Sequence, residues 1–83
     1  MTELRQKLVD IIASYAPPDV TRSQIEAATG LRDLPVDSIA LLGAFDEIEE
    51  QFGVRIGAGA ATPETTLDEF EAMLARLIAQ KNA

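Results

Sequence analysis

The sequence predicts a small all-α bundle of three main helices plus a short or degenerate additional helix. Three observations point to it. Apolar residues recur at helical spacing in three separate stretches, Pro and Gly stand where those stretches stop, and no sustained period-two alternation marks a strand. The 83 residues fit one domain over 1–83, which must make do with a compact core. With 47% apolar and 25% charged residues, the composition is that of a folded protein and not of a disordered one.

The first helix is expected from about Glu3 to Ala16, with Leu4, Leu8, Ile11, Ile12 and Tyr15 on one stripe. Thr2 is its candidate N-cap, and the Pro17-Pro18 pair ends it because proline disfavours helical geometry in the residue before it. A long connection to Asp37 follows. Within it Ser23 and Glu26 have capping-box spacing, so a helical turn is expected over Gln24 to Thr29, ending at Gly30. Val20, Ile25, Leu31 and Leu34 are its candidate anchors on the bundle, and Pro35 holds Leu34 extended.

The second long helix is expected from Asp37 or Ser38 to about Phe52, with Gly53 ending it in a left-handed conformation. Val54-Arg55-Ile56 reads as a brief extended piece and Gly57 to Thr65 as a flexible loop. A short helical turn within Ala60 to Glu64 would need Pro63 in its first turn. Thr66 with Glu69 three residues on announces the last helix, whose apolar face is Leu67, Phe70, Met73, Leu74, Leu77 and Ile78.

Composition narrows the function classes. The chain has no Cys and no His, which removes disulfides, thiolate metal sites and the commonest general base. No run of apolar residues is long enough to span a membrane, and charges stand where a signal peptide needs an apolar stretch, so a cytoplasmic monomer is expected. A net charge of −7 repels nucleic-acid phosphates and anionic membranes and favours basic partner surfaces, although it equally serves solubility. An enzyme is disfavoured: no metal-ligand cluster or phosphate-cradling loop is present, and the carboxylates look solvent-facing.

The informative stretch runs from Asp37-Ser38-Ile39 through Asp46-Glu47-Ile48-Glu49-Glu50-Gln51 to Phe52-Gly53-Val54. It resembles the acyl carrier protein signature, in which Asp-Ser-Leu opens the second helix and an acidic cluster leads to Phe-Gly and a β-branched residue. The number of residues from Ser38 to Phe52-Gly53 matches without a gap, and Leu31-Arg32-Asp33-Leu34 is similar to the family's approach to the serine. The resemblance implies a carrier, not an enzyme, with 4'-phosphopantetheine from coenzyme A attached covalently to Ser38. It implies Asp37 as a recognition element for the phosphopantetheinyl transferase and cargo held as a thioester on the arm. A serine at a helix N-terminus suits this chemistry, being presented outward at the positive end of the helix dipole. The residue-level alternative is that Ser38, or Asp37, is an ordinary N-cap.

At about 100° per residue, Leu41, Ala44, Phe45, Ile48 and Phe52 form the core face of this helix. Ile39, Leu42, Gly43, Asp46 and Glu50 form a second face, which the resemblance implies docks acyl-loading and acyl-processing enzymes with basic surfaces. Glu47 joins them as a candidate contact, and the acidic cluster as a whole reads equally as a solvated face. Fatty-acid carriers usually have Asp where this chain has Ala40 and Glu where it has Gly43, which points to a specialised polyketide, lipid or related pathway. An aminoacyl or peptidyl carrier and an unmodified helical interaction module are the alternatives. Gly43 costs about 1 kcal/mol of helix propensity against Ala; it either permits close approach by a partner backbone or is simply tolerated.

Overall fold

The computed structural model describes residues 3–57 and 59–82, so the expected cap at Thr2 lies outside the described residues. Among these residues four α-helices follow in order, α1 Glu3–Tyr15, α2 Arg22–Glu26, α3 Ser38–Phe52 and α4 Leu67–Lys81, with a 3-10 turn over Leu31–Asp33. The only bridge among the described residues is an isolated antiparallel one between Gly30 and Thr66. The all-α expectation therefore holds; the short fourth helix is α2, in the connection before Asp37 where a helical turn is expected, and not one after Ile56.

Helix α1 is the hub and packs on α3, α2 and α4. Leu8, Val9, Ile11 and Ile12 are buried, a wider stripe than the sequence spacing marked because Val9 faces a neighbour too. Tyr15, expected on that stripe, is 37% exposed. Around α1 the core is completed by Ile25, Leu31, Leu34, Ala44, Ile48, Val54, Leu67, Phe70 and Leu74. Leu41, Phe45 and Phe52 of the expected α3 core face are partly buried against it, as are Met73, Leu77 and Ile78 of α4. The Phe45 and Phe70 rings stack at a centroid distance of 5.2 Å, joining α3 to α4. Arg5 ties α1 to α4 through Glu71, at 2.7 Å, and Asp68; those carboxylates, Glu71 first, hold its guanidinium pKa above the ordinary value.

The connection between α1 and α3 differs from expectation in register. The capping box is Thr21 with Gln24: the Gln24 N–H donates to Thr21 Oγ1 at 3.2 Å and the Thr21 N–H to Gln24 Oε1 at 2.8 Å. The helix thus begins two residues earlier than a Ser23 box allows, and it ends at Glu26 with Ala27 as C-cap. Gly30 does not terminate it. Its backbone is extended and runs so close to the chain after α3 that a Cβ would meet Pro63 O at 3.3 Å. Leu34 is extended before Pro35, as expected, at φ −66° and ψ 136°.

Helix α3 ends as its sequence dictates. Gly53 sits at φ 64° and ψ 36°, and Lys81 Nζ donates to Phe52 O at 2.8 Å, satisfying a terminal carbonyl. No helical turn forms over Ala60 to Glu64. Gly59 takes the left-handed φ of 83°, and two turns close instead, from Ala60 N–H to Gly57 O and from Thr65 N–H to Thr62 O, both at 3.0 Å. The segment is instead bonded to the other connection: Leu31 N–H donates to Thr65 O at 2.9 Å and Arg32 N–H to Pro63 O at 3.1 Å. Thr66 and Glu69 then form the expected capping box of α4.

Candidate functional site around Ser38

The N-cap of α3 is Asp37. Its Oδ1 accepts the Ala40 N–H at 2.7 Å, and its backbone carbonyl accepts the Leu41 N–H at 2.9 Å. Ser38 is therefore the first helical residue, exposed, with its hydroxyl outside the cap. This removes the reading of Ser38 as an ordinary cap, because the work of capping is done by its neighbour. The first-turn N–H groups of Ser38 and Ile39 lack intrahelical acceptors by the geometry of any helix start. They and the helix dipole favour an anion bonded to the Ser38 oxygen.

Beside Ser38 lies an open groove of about 380 Å³ between α3 and the 61–63 segment. Its lining is mostly apolar, from Leu31, Val36, Leu41, Phe45 and Ala61, with Arg32 and Ser38 at polar positions. A second hollow of about 290 Å³ lies on the same flank of α3, bounded by Leu42, Asp46, Glu49 and Ile56. The two share Phe45 and Ala61. Sequence reasoning did not find Arg32, Val36 or Ala61 as site residues. They belong to the two connections, whose meeting across the Leu31–Thr65 and Arg32–Pro63 bonds no local periodicity signals.

The candidate docking residues separate into two groups. Ile39 is 83% exposed and Leu42 is 64% exposed, and Asp46 and Glu50 are exposed beside them. This is an apolar patch with acidic company, starting one residue from Ser38. Glu47 is differently placed. It reaches α1 with its Oε1, which accepts the Tyr15 hydroxyl at 2.8 Å, while its Oε2 accepts the amide of Gln51 on α3 itself at 2.8 Å. Glu49 is also committed within the chain, accepting the Ile56 N–H at 2.6 Å.

Gly43 has a partner within the molecule. A Cβ at that position would stand 2.8 Å from Tyr15 Cε2 and 3.1 Å from Cδ2. The close approach that a glycine permits is made by the Tyr15 ring, so neither a partner backbone nor mere tolerance is needed to account for it. The Tyr15 hydroxyl pKa lies above its ordinary value, first because of the hydrogen bond to Glu47, then through desolvation and the charges of Glu47, Asp46 and Glu50.

The residues present fit a phosphopantetheine group: an exposed hydroxyl on a rigid helix start, an acidic neighbour engaged as cap, and an adjoining apolar groove. Comparison with known proteins agrees. A family model described as "Phosphopantetheine attachment site" matches residues 6–74, which takes in α2, α3 and most of α1 and α4. No curated protein matches the chain.

Proposed function

From the premise that the chain belongs to the phosphopantetheine attachment family, and so bears a covalent 4'-phosphopantetheine arm, we propose that Ser38 is the attachment point and that the cargo is an acyl intermediate of a specialised biosynthetic pathway. The observation that carries the assignment is the division of labour at the start of α3, where Asp37 caps the helix and leaves the exposed Ser38 hydroxyl to be modified. The group supplies a terminal thiol on which the cargo is held as a thioester. The chain's own residues anchor, present and receive. Helix α3, held by Ala44 and Ile48 in the core, fixes the attachment oxygen to a rigid element. Leu31, Val36, Leu41 and Phe45 offer an apolar surface beside it, which favours an acyl over a charged cargo.

Asp37 is the proposed recognition element for the transferase. Ile39, Leu42, Asp46 and Glu50 are the proposed contact surface for enzymes that load and process the cargo. The uncharged Ala40 and Gly43 beside that surface, where fatty-acid carriers usually have Asp and Glu, support a polyketide, lipid or related pathway with partners of its own.

Incubation with coenzyme A and a broad-specificity phosphopantetheinyl transferase, followed by intact-mass measurement, tests the assignment. One phosphopantetheine increment is expected in the wild type and none in Ser38→Ala. An unchanged mass with several transferases, or an increment that persists in Ser38→Ala, refutes it.

A further inference from the structure

A phosphodiester on Ser38 would stand beside the Asp37 carboxylate in a protein that already carries a net charge of −7. Such an anion gains from a nearby cation, and the groove supplies one. Arg32 is the only Lys or Arg among the residues that line the groove with Ser38. Its backbone is fixed, since its N–H donates to Pro63 O at 3.1 Å within the contact between the two connections. Its side chain is the movable part. The guanidinium pairs with Glu64, which follows the groove residue Pro63, and the two side chains are 61% and 68% exposed. An exposed pair of this kind contributes little to stability and is easily exchanged.

We propose that Arg32 is a phosphate-holding residue: when Ser38 carries the arm, the guanidinium leaves Glu64 and pairs with the phosphodiester. The inference rests on the Ser38 assignment argued above. A planar guanidinium can donate two parallel hydrogen bonds to phosphate oxygens as it does to a carboxylate, so the exchange replaces one oxyanion partner by another. One consequence follows for the loaded protein. The root of the arm is held toward the groove and not away from it, which directs what the arm carries along the Leu41 and Phe45 side.

Phosphorus NMR of the holo protein reads the contact directly, and mass spectrometry first verifies that the arm is present. At low salt the phosphodiester resonance of the wild type is expected to differ from that of Arg32→Gln, with Arg32→Lys in between. Raising the sodium chloride concentration should move the wild-type resonance toward that of Arg32→Gln and leave the variant in place, because exposed pairs are screened. Glu64→Gln, which removes the competitor, should move the resonance further from that of Arg32→Gln. The Arg32 Nε–Hε signal of nitrogen-labelled wild-type protein should shift between the apo and holo forms, a comparison that needs no modified variant. A normal mass increment with coincident phosphorus resonances in wild type and Arg32→Gln, or an Arg32 Nε–Hε signal that is the same in apo and holo protein, overturns the role of Arg32 alone. A wild type that gains no mass overturns the Ser38 assignment beneath it.

Discussion

Substituting Gly43 by Ala sets two effects of similar size against each other, and the structure determines the balance. In the middle of α3 the change should gain about 1 kcal/mol of helix propensity. The new methyl, however, would stand 2.8 Å from the Tyr15 ring, which must retreat by roughly 0.6 Å to reach ordinary contact at 3.4 Å. The ring is tethered at its far end by the 2.8 Å hydrogen bond to Glu47, so retreat strains or breaks that bond. Overpacking and a weakened hydrogen bond together cost about 1–2 kcal/mol at a partly exposed site. Gly43→Ala alone should therefore be neutral or destabilising by up to about 1 kcal/mol. In a Tyr15→Ala background the penalty vanishes and the same substitution should stabilise by about 1 kcal/mol. Urea unfolding of the wild type, both single variants and the double variant, followed by circular dichroism, closes the cycle. A coupling energy of about 1–2 kcal/mol is expected; additivity within about 0.3 kcal/mol would mean that Tyr15 does not rest on Gly43.

Asp37→Ala removes the 2.7 Å cap bond and should lower unfolding stability by about 1 kcal/mol, whereas Asp37→Asn should retain most of it. If Asp37 is also read by the transferase through its charge, Asp37→Asn still slows modification measured by mass over time; equal rates would leave Asp37 a cap only. Tyr15 is the sole tyrosine and there is no tryptophan, so absorbance titration should show a single phenol with a pKa above the ordinary 10.0, falling toward it in Glu47→Gln. Because the folded-state value is raised, the stability contributed by this pair is present below pH 10.0 and is lost as the pH rises through the folded pKa. Charge reversal of Asp46 and Glu50 to Lys should slow association with a basic partner several-fold at low salt and flatten the salt dependence, measured by stopped flow with the transferase; unchanged rates refute steering by these two residues.

What the sequence makes legible is what is written locally. The capping box of Thr66 with Glu69, the left-handed Gly53 and the extended Leu34 before Pro35 each depend on residues within a few positions, and each appears as expected. The capping box of α2 shows the limit of such signals. Both Ser23 with Glu26 and Thr21 with Gln24 have the right spacing, and it is the latter that starts the helix that buries Ile25 completely. The groove beside Ser38 was illegible for a different reason. Apart from α3, its walls come from residues 31–36 and 61–63, brought together by main-chain hydrogen bonds that carry no side-chain signature. The glycine at 43 could not be explained from α3 alone, because its reason is the ring of Tyr15 on α1.

The acidic cluster of α3 keeps its charge but offers a partner fewer uncommitted carboxylates than its composition suggests. Four carboxylates stand in five positions, from Asp46 to Glu50. Glu47 is spent on Tyr15 and Gln51, and Glu49 on the Ile56 N–H. What faces outward is Asp46 and Glu50, flanking Ile39 and Leu42, the two most exposed large apolar side chains among the described residues. Two exposed charges affect chiefly the rate of encounter and are weakened by salt. Two large aliphatic side chains buried on docking act instead on how long a complex lasts. If Ile39 and Leu42 are the contact surface proposed above, this carrier should discriminate among enzymes by the shape of the surface that receives them, with charge selecting only the general class of partner. That would invert the balance expected of a carrier whose serine-proximal surface is acidic, and the inversion would trace to Ala40 and Gly43. Neither residue adds a charge, and Gly43 seats the Tyr15 ring at the edge of the patch.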